Sequence, residues 1–263
     1  MKKRYQKIKN ACKNSDKKTL TIYIILRILT IICMIRELAN GNIQNALLCI
    51  LSLILFLLPV FIEKKFKVDL PSILEIFIFL FIFAAEILGE INNFYGTIPF
   101  WDTILHTING FLCASVGFSL VYILNEKTNL LHLSPLFVAL VAFCFSMTVG
   151  ALWEVFEYSM DNIFKWDMQK DEYVYNIQTV TLDPENNNNV IAIKNIDHTI
   201  LYDKNNNEII KIDGYLDIGL NDTIEDLIVN LIGAITFSIF GYLYIINQEK
   251  YKLAGAFITK KKQ

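Results

Sequence analysis

The sequence predicts an all-α polytopic membrane protein: six transmembrane helices, with a small β-rich extracytoplasmic insertion between helices 5 and 6. Three observations predict it. First, charge is segregated: residues 20–35, 43–62, 73–88, 101–124, 134–156 and 224–246 cover 122 of the 263 positions yet hold seven of the 50 charged residues. Second, these runs approach or exceed the roughly 17–25 residues that cross a hydrocarbon core about 30 Å thick. Third, threading the six runs alternately places 17 of the 24 basic residues on one side, as the positive-inside rule requires. A soluble globular enzyme is excluded by this pattern, and a net charge of −2 excludes a strongly basic nucleic-acid binder.

Residues 1–19 carry Lys2, Lys3, Arg4, Lys7, Lys9, Lys13, Lys17 and Lys18 and form a basic cytoplasmic tail. The basic start and the apolar run behind it imitate a signal peptide, but no small-x-small cleavage site follows Met34 and five further apolar runs come later. The run is therefore expected to stay as the first helix. Arg27 falls in mid-span and needs a carboxylate, polar backbone or water. Residues 20–158 carry helices 1 to 5. Lys64, Lys65 and Lys67 follow helix 2, and Lys127 follows helix 4. Helix 6 occupies 222–247, and a second basic cytoplasmic tail, 248–263, holds Lys250, Lys252, Lys260, Lys261 and Lys262. Both termini are thus expected in the cytoplasm.

Residues 159–221 form the insertion. Short β-prone runs at 173–182, 190–193, 199–202 and 209–216 alternate with turn clusters such as Asp183-Pro184 and the asparagines at 186–189. Asp203 to Asn207 imitates the start of a calcium loop, but Glu208 stands where the turn needs Gly, and Gly214 where a bidentate Glu belongs. His132 and His198 fall in loops. The five cysteines, Cys12, Cys33, Cys49, Cys113 and Cys144, lie in the basic tail or in apolar runs and imply no disulfide framework.

Ionisable groups inside membrane helices are expensive and mark bundle interiors or wet cavities. Helix 3 ends with Glu86 and Glu90, and helix 4 opens with Asp102 and His106, followed by Asn109 and Gly110. Helix 5 ends with Glu154 and Glu157, and helix 6 opens with Asp222, Glu225 and Asp226, followed by Asn230 and Gly233. The threading puts all four clusters at the outer face. Asp102 and His106 are spaced i,i+4, Glu154 and Glu157 i,i+3, and Asp222, Asp226, Asn230 and Gly233 share one helical direction. Plainer roles compete. Asp222 with Glu225 reads as an N-cap and capping box, Asp102 after Pro99 as a cap, and His106 as one end of an interhelical hydrogen bond. Asn230 and Gly233 read as packing polarity and close helix approach. Capping does not account for Glu86, Glu154 or Asp226, which lie about a turn inside their helices.

Seven acids, Glu86, Glu90, Asp102, Glu154, Glu157, Asp222 and Asp226, face few basic groups: Arg36, Arg27 and His106. Partly desolvated like charges cannot all stay ionised, so they share protons or a cation. One imidazole among several carboxylates suits Zn²⁺ or Mn²⁺, or Mg²⁺ where waters complete its shell. The expected ligands are Asp102, His106, Glu154, Asp222 and Asp226, and the expected catalytic groups are Glu154, Glu157 and Asp226.

The ordered set Asp-x-x-x-His, Glu-x-x-Glu, Asp-Thr-x-x-Asp and Asn-x-x-Gly, spread from Glu86 to Gly233, resembles the YjdF-type bacterial inner-membrane proteins and more distantly the VanZ-like membrane proteins. The resemblance singles out Asp102, His106, Glu154, Glu157, Asp222, Asp226 and Gly233. It implies a multi-pass protein of the bacterial cell membrane, in a family without an established biochemical function. Thr103, where members of that family often carry Lys, and a longer insertion depart from the pattern.

Three functions follow as expectations. One is a metal-dependent hydrolase or transferase acting at the outer face on a lipid-linked substrate or envelope precursor. The second is a non-catalytic scaffold that binds an envelope protein through 159–221. The third is a cation- or proton-coupled transporter, for which neither a matching inner acidic cluster nor an inverted repeat is visible. The bilayer is the expected surroundings, and no nucleic acid is expected.

Overall fold

The computed structural model describes residues 17–127 and 133–261. Most of the basic amino-terminal tail, Cys12, His132 and Lys262 lie outside the described residues. Among the described residues, six helical spans are long and apolar enough to cross a membrane: Lys17–Ala39, Ile43–Phe66, Ser72–Ile91, Trp101–Asn125, Pro135–Phe164 and Leu220–Ile246. The chain divides into two compact units, residues 1–151 with 226–263, and residues 152–225.

In the first unit, spans 1 to 3 alternate in direction. Rings of Tyr23, Phe56 and Phe79, one from each span, meet with centroids 5.1–6.5 Å apart, and Cys33, Cys49 and Ile87 form a second buried cluster further along. Arg27, whose partner sequence position alone left open, hydrogen bonds to the Tyr23 hydroxyl one turn back and lies over its ring. Arg36 is engaged by Glu37 at 2.8 Å and by Asn92 at 3.2 Å, while Asn45 donates to the other Glu37 oxygen. This ties the ends of three spans together.

Two spans are less regular than their apolar runs suggest. The second is broken between Leu55 and Leu58, because Pro59 has no N–H and its ring clashes with the carbonyl four residues back. The third winds as a π-helix from Phe83 to Ile91, a geometry usually confined to single turns and often found at functional sites.

Span 4 joins span 3 through the buried cluster Leu70, Leu74 and Leu112. It then packs against spans 5 and 6 with almost no side chain between the backbones. A Cβ on Gly110 would lie 2.1 Å from the Asn230 carbonyl oxygen, and one on Gly233 2.0 Å from that of Thr107. Ser146 donates to the Gly110 carbonyl oxygen at 2.7 Å, and Gly150 leaves the space that the Asn230 amide fills. Small residues and buried hydroxyls replace the hydrophobic effect, which cannot drive helices together within lipid. The order of contacts makes spans 4 and 6 parallel, with span 5 running against both.

In the second unit the strands form three antiparallel pairs: β2 (Tyr173–Val174) with β7 (Tyr215–Leu216), β3 (Ile177–Thr179) with β4 (Ile191–Ile193), and β5 (His198–Tyr202) with β6 (Glu208–Asp213). The expected run 173–182 is interrupted after Val174 and ends at Thr179. There the chain turns into a loop organised by Asp183, whose carboxylate accepts N–H groups from Glu185, Asn187 and Asn189. Asp203 closes the next turn likewise, taking N–H groups from Asn205 and Asn207, which accounts for its calcium-like spacing without an ion.

The expected N-cap role of Asp222 is corrected. The last helix starts at Leu220, and Asp217 serves its first turn by accepting from Gly219 N at 3.1 Å and Asn221 N at 2.8 Å. Asp222 instead accepts the Lys170 N–H at 2.8 Å.

The Asn189 N–H above all, with those of Glu185 and Asn187, holds the Asp183 carboxyl below its ordinary pKa. A depressed folded-state pKa contributes stability that is present above the unfolded value of about 3.9 and lost as pH falls through the folded value. We therefore expect wild type to melt above Asp183→Ala at pH 7, and the gap to close in acid. A gap that persists once the carboxyl is protonated contradicts this role.

Candidate metal centre

The candidate centre is built on the openings of spans 4 and 6. Phe100 takes a left-handed conformation, φ 62°, just before the helix that starts at Trp101, so the chain turns sharply before it enters the span. Asp102 then falls in the first turn and His106 one turn deeper. In span 6, Asp226 lies in the second turn from Leu220. The string Asp-Thr-Ile occurs in both openings, at 102–104 and 222–224. The residues four positions after each Asp, His106 and Asp226, are the pair that meets.

Heights along the parallel helices are set by the glycine contacts. Gly110 against Asn230 places the residues one turn earlier, His106 and Asp226, side by side. His106 Nε2 lies 3.4 Å from Asp226 Oδ2 and 3.5 Å from Asp102 Oδ1, and ligand atoms of all three residues lie within 4.8 Å of one another. Both N···O distances exceed the 2.7–3.2 Å of a good N–H···O bond. They match the spacing of roughly 3.4 Å between two ligands placed about 2.0–2.1 Å from one tetrahedral ion. Asp226 is 5% exposed and His106 9%, whereas the Asp102 side chain is 35% exposed. The cluster therefore has two enclosed members and one that water can reach.

An amide pair supports it from below. Asn109 Nδ2 donates to Asn230 Oδ1 at 3.4 Å, and Asn230 Nδ2 to the Met147 thioether at 3.6 Å. Asn230, 1% exposed, fixes the helix face that carries Asp226 one turn away. Sequence reasoning named both amides but missed Ser146, Met147 and Gly150. Gly150, a single glycine inside an apolar run, was the available signal.

The remaining expected residues are placed as follows. Glu86 sits half-buried in the π-helix and Glu90 is exposed; neither joins Asp102, His106 and Asp226 in their ligand group among the described residues. Glu154 and Glu157 belong to the second unit. Both are buried, and Glu157 accepts the Trp153 indole N–H at 2.9 Å. Asp222, also of the second unit, is engaged by Lys170 as described.

Residues 19–247 match the family model described as "Predicted membrane protein (DUF2238)". A Thermotoga maritima protein, described as an uncharacterized protein, is 30% identical over 105 residues, which cover 40% of this chain and 53% of that one. The chain thus spans about half the length of the curated relative it matches. No solved structure matches.

Proposed function

We propose, for a chain that belongs to the predicted membrane protein family DUF2238, that Asp102, His106 and Asp226 bind a divalent cation at the outer face of the bacterial cell membrane, where the protein acts as a hydrolase or transferase on a lipid or envelope precursor. The carrying observation is the spacing of His106 Nε2 from two carboxylates, 3.4 and 3.5 Å. It suits ligands that share an ion better than groups hydrogen bonded to one another. The outer location rests on the lysine distribution, which keeps both termini in the cytoplasm.

In this reading a bound Zn²⁺, Mn²⁺ or Mg²⁺ supplies positive charge and acidifies water. His106 coordinates through Nε2, with its proton on Nδ1. Asp226 contributes a negative ligand, and Asp102, open to water, holds the side from which a substrate approaches. The roles expected from the sequence for Glu154 and Glu157 as catalytic groups, and for Glu154 and Asp222 as ligands, stand as proposals of their own, each tested by its amide substitution.

A second reading has one observation in its favour: His106 and two carboxylates at these distances also make a structural ion pair when the imidazole is protonated, as a non-catalytic scaffold would use. Protein in lipid nanodiscs separates the two. Cleavage of a phosphate- or ester-linked lipid analogue that requires added Zn²⁺ or Mn²⁺ and is lost in Asp226→Asn is the expected result. Turnover indifferent to chelation and to that substitution contradicts the metal reading.

A further inference from the structure

The sequence assigns the residues after span 6 to a basic tail, yet within them lies an apolar island, Leu253 to Ile258. In the first unit this island is folded into the bundle. After a short helix, Lys252–Gly255, Phe257 is wedged edge-on between Phe77 of span 3, 5.4 Å away, and Phe111 of span 4, 5.1 Å away. Ile258 is 1% exposed and belongs to the same buried cluster as Ala114, Phe118, Ala234 and Phe237 of spans 4 and 6. Thr259 N–H donates to Ser119 Oγ at 2.9 Å, and β8 (Lys260–Lys261) pairs with β1 (Val68–Asp69) after span 2.

The position of this strap matters because of what Phe111 touches. Its backbone N would lie 2.8 Å from a Cβ on Gly233, so Phe111 sits at the closest approach of spans 4 and 6. Its ring meets Phe237 of span 6 at 5.0 Å on one side and Phe257 on the other. Five residues, about 7.5 Å of helix, separate Phe111 from His106. Packed interiors transmit such displacements because they are dense and poorly compressible.

We propose that Phe257 and Ile258 are positioning residues for the His106–Asp226 pair: residues 254–261 form a wedge that enters from the end of spans 4 and 6 remote from the acid/His cluster and, through Phe111, holds span 4 against span 6. This rests on the metal reading only for its chemical consequence. The mechanical claim stands on packing alone.

The test uses the full chain in nanodiscs, with Phe257→Ala, Ile258→Ala and the conservative Phe257→Leu. Co²⁺ alone is the metal probe. Phe257→Ala is expected to weaken Co²⁺ binding about 10-fold, the lower end of the range for groups that act through ligands, and Phe257→Leu to recover most of it. Hydrogen exchange gives a readout without metal: amides of 105–112 and 226–237 exchange faster in Phe257→Ala, while those of 43–55 stay unchanged. A uniform rise across all spans, or no rise at 105–112 and 226–237, overturns the wedge. Wild type that binds no Co²⁺ defeats the metal reading, and the exchange pattern alone then upholds or overturns the wedge.

Discussion

Asp226→Asn and His106→Ala are each expected to lower divalent-metal affinity by more than about 100-fold, beyond what is usual for residues that only support ligands. Asp226→Asn keeps the size of the side chain and removes the charge. At 5% exposure, bulk water has little access to replace the lost anionic oxygen. His106→Ala removes the one nitrogen donor of the group. Asp102→Asn is expected to cost much less, because its side chain is 35% exposed and water can take the vacant position. Titration calorimetry of the three variants in nanodiscs checks this order. Equal losses at all three positions, or a larger loss at Asp102 than at Asp226, contradict the assigned geometry.

The second large effect is on folding. Gly233→Leu is expected to cost about 3 kcal/mol or more, at or beyond the upper end for overpacking. Its Cβ alone would stand 2.0 Å from the Thr107 carbonyl oxygen, a backbone atom that cannot swing aside as the tip of a side chain does. Gly110→Val meets the Asn230 carbonyl oxygen at 2.1 Å and follows suit. Both variants lower the melting temperature and the yield of monodisperse protein. Gly41→Ala, where nothing lies within 4 Å of the added carbon but φ is +76°, costs only backbone strain. A melting temperature for Gly233→Leu close to wild type would mean that spans 4 and 6 do not cross there.

How much of this was legible in the sequence depends on the range of the interaction that fixes each feature. The six spans were legible because apolar length is a local property. The convergence of Asp102, His106 and Asp226 was legible because helical spacing put the first two on one face and Asn230 with Gly233 on the face of the third. The break before Pro59 and the Tyr23 partner of Arg27 were not read from the sequence, although each depends on residues no more than four positions apart. The π-helix at Phe83–Ile91 was not, since nothing in its composition distinguishes it from an α-helical run. The Asp217 cap was missed in favour of Asp222 because both stand near the same helix start, and the choice depends on where the strand before it ends. The strap was missed for a plainer reason: lysines on either side of Phe257 and Ile258 dominate the composition, and only tertiary contacts with spans 3, 4 and 6 reveal the island as core.

X-ray absorption of Zn²⁺-loaded protein, recorded for wild type and His106→Gln, tests the central claim most directly. One imidazole nitrogen with carboxylate oxygens at about 2.0–2.2 Å, the nitrogen contribution disappearing in the variant, is the predicted result. An identical spectrum for the two proteins, or protein that holds no stoichiometric ion after dialysis, would contradict it.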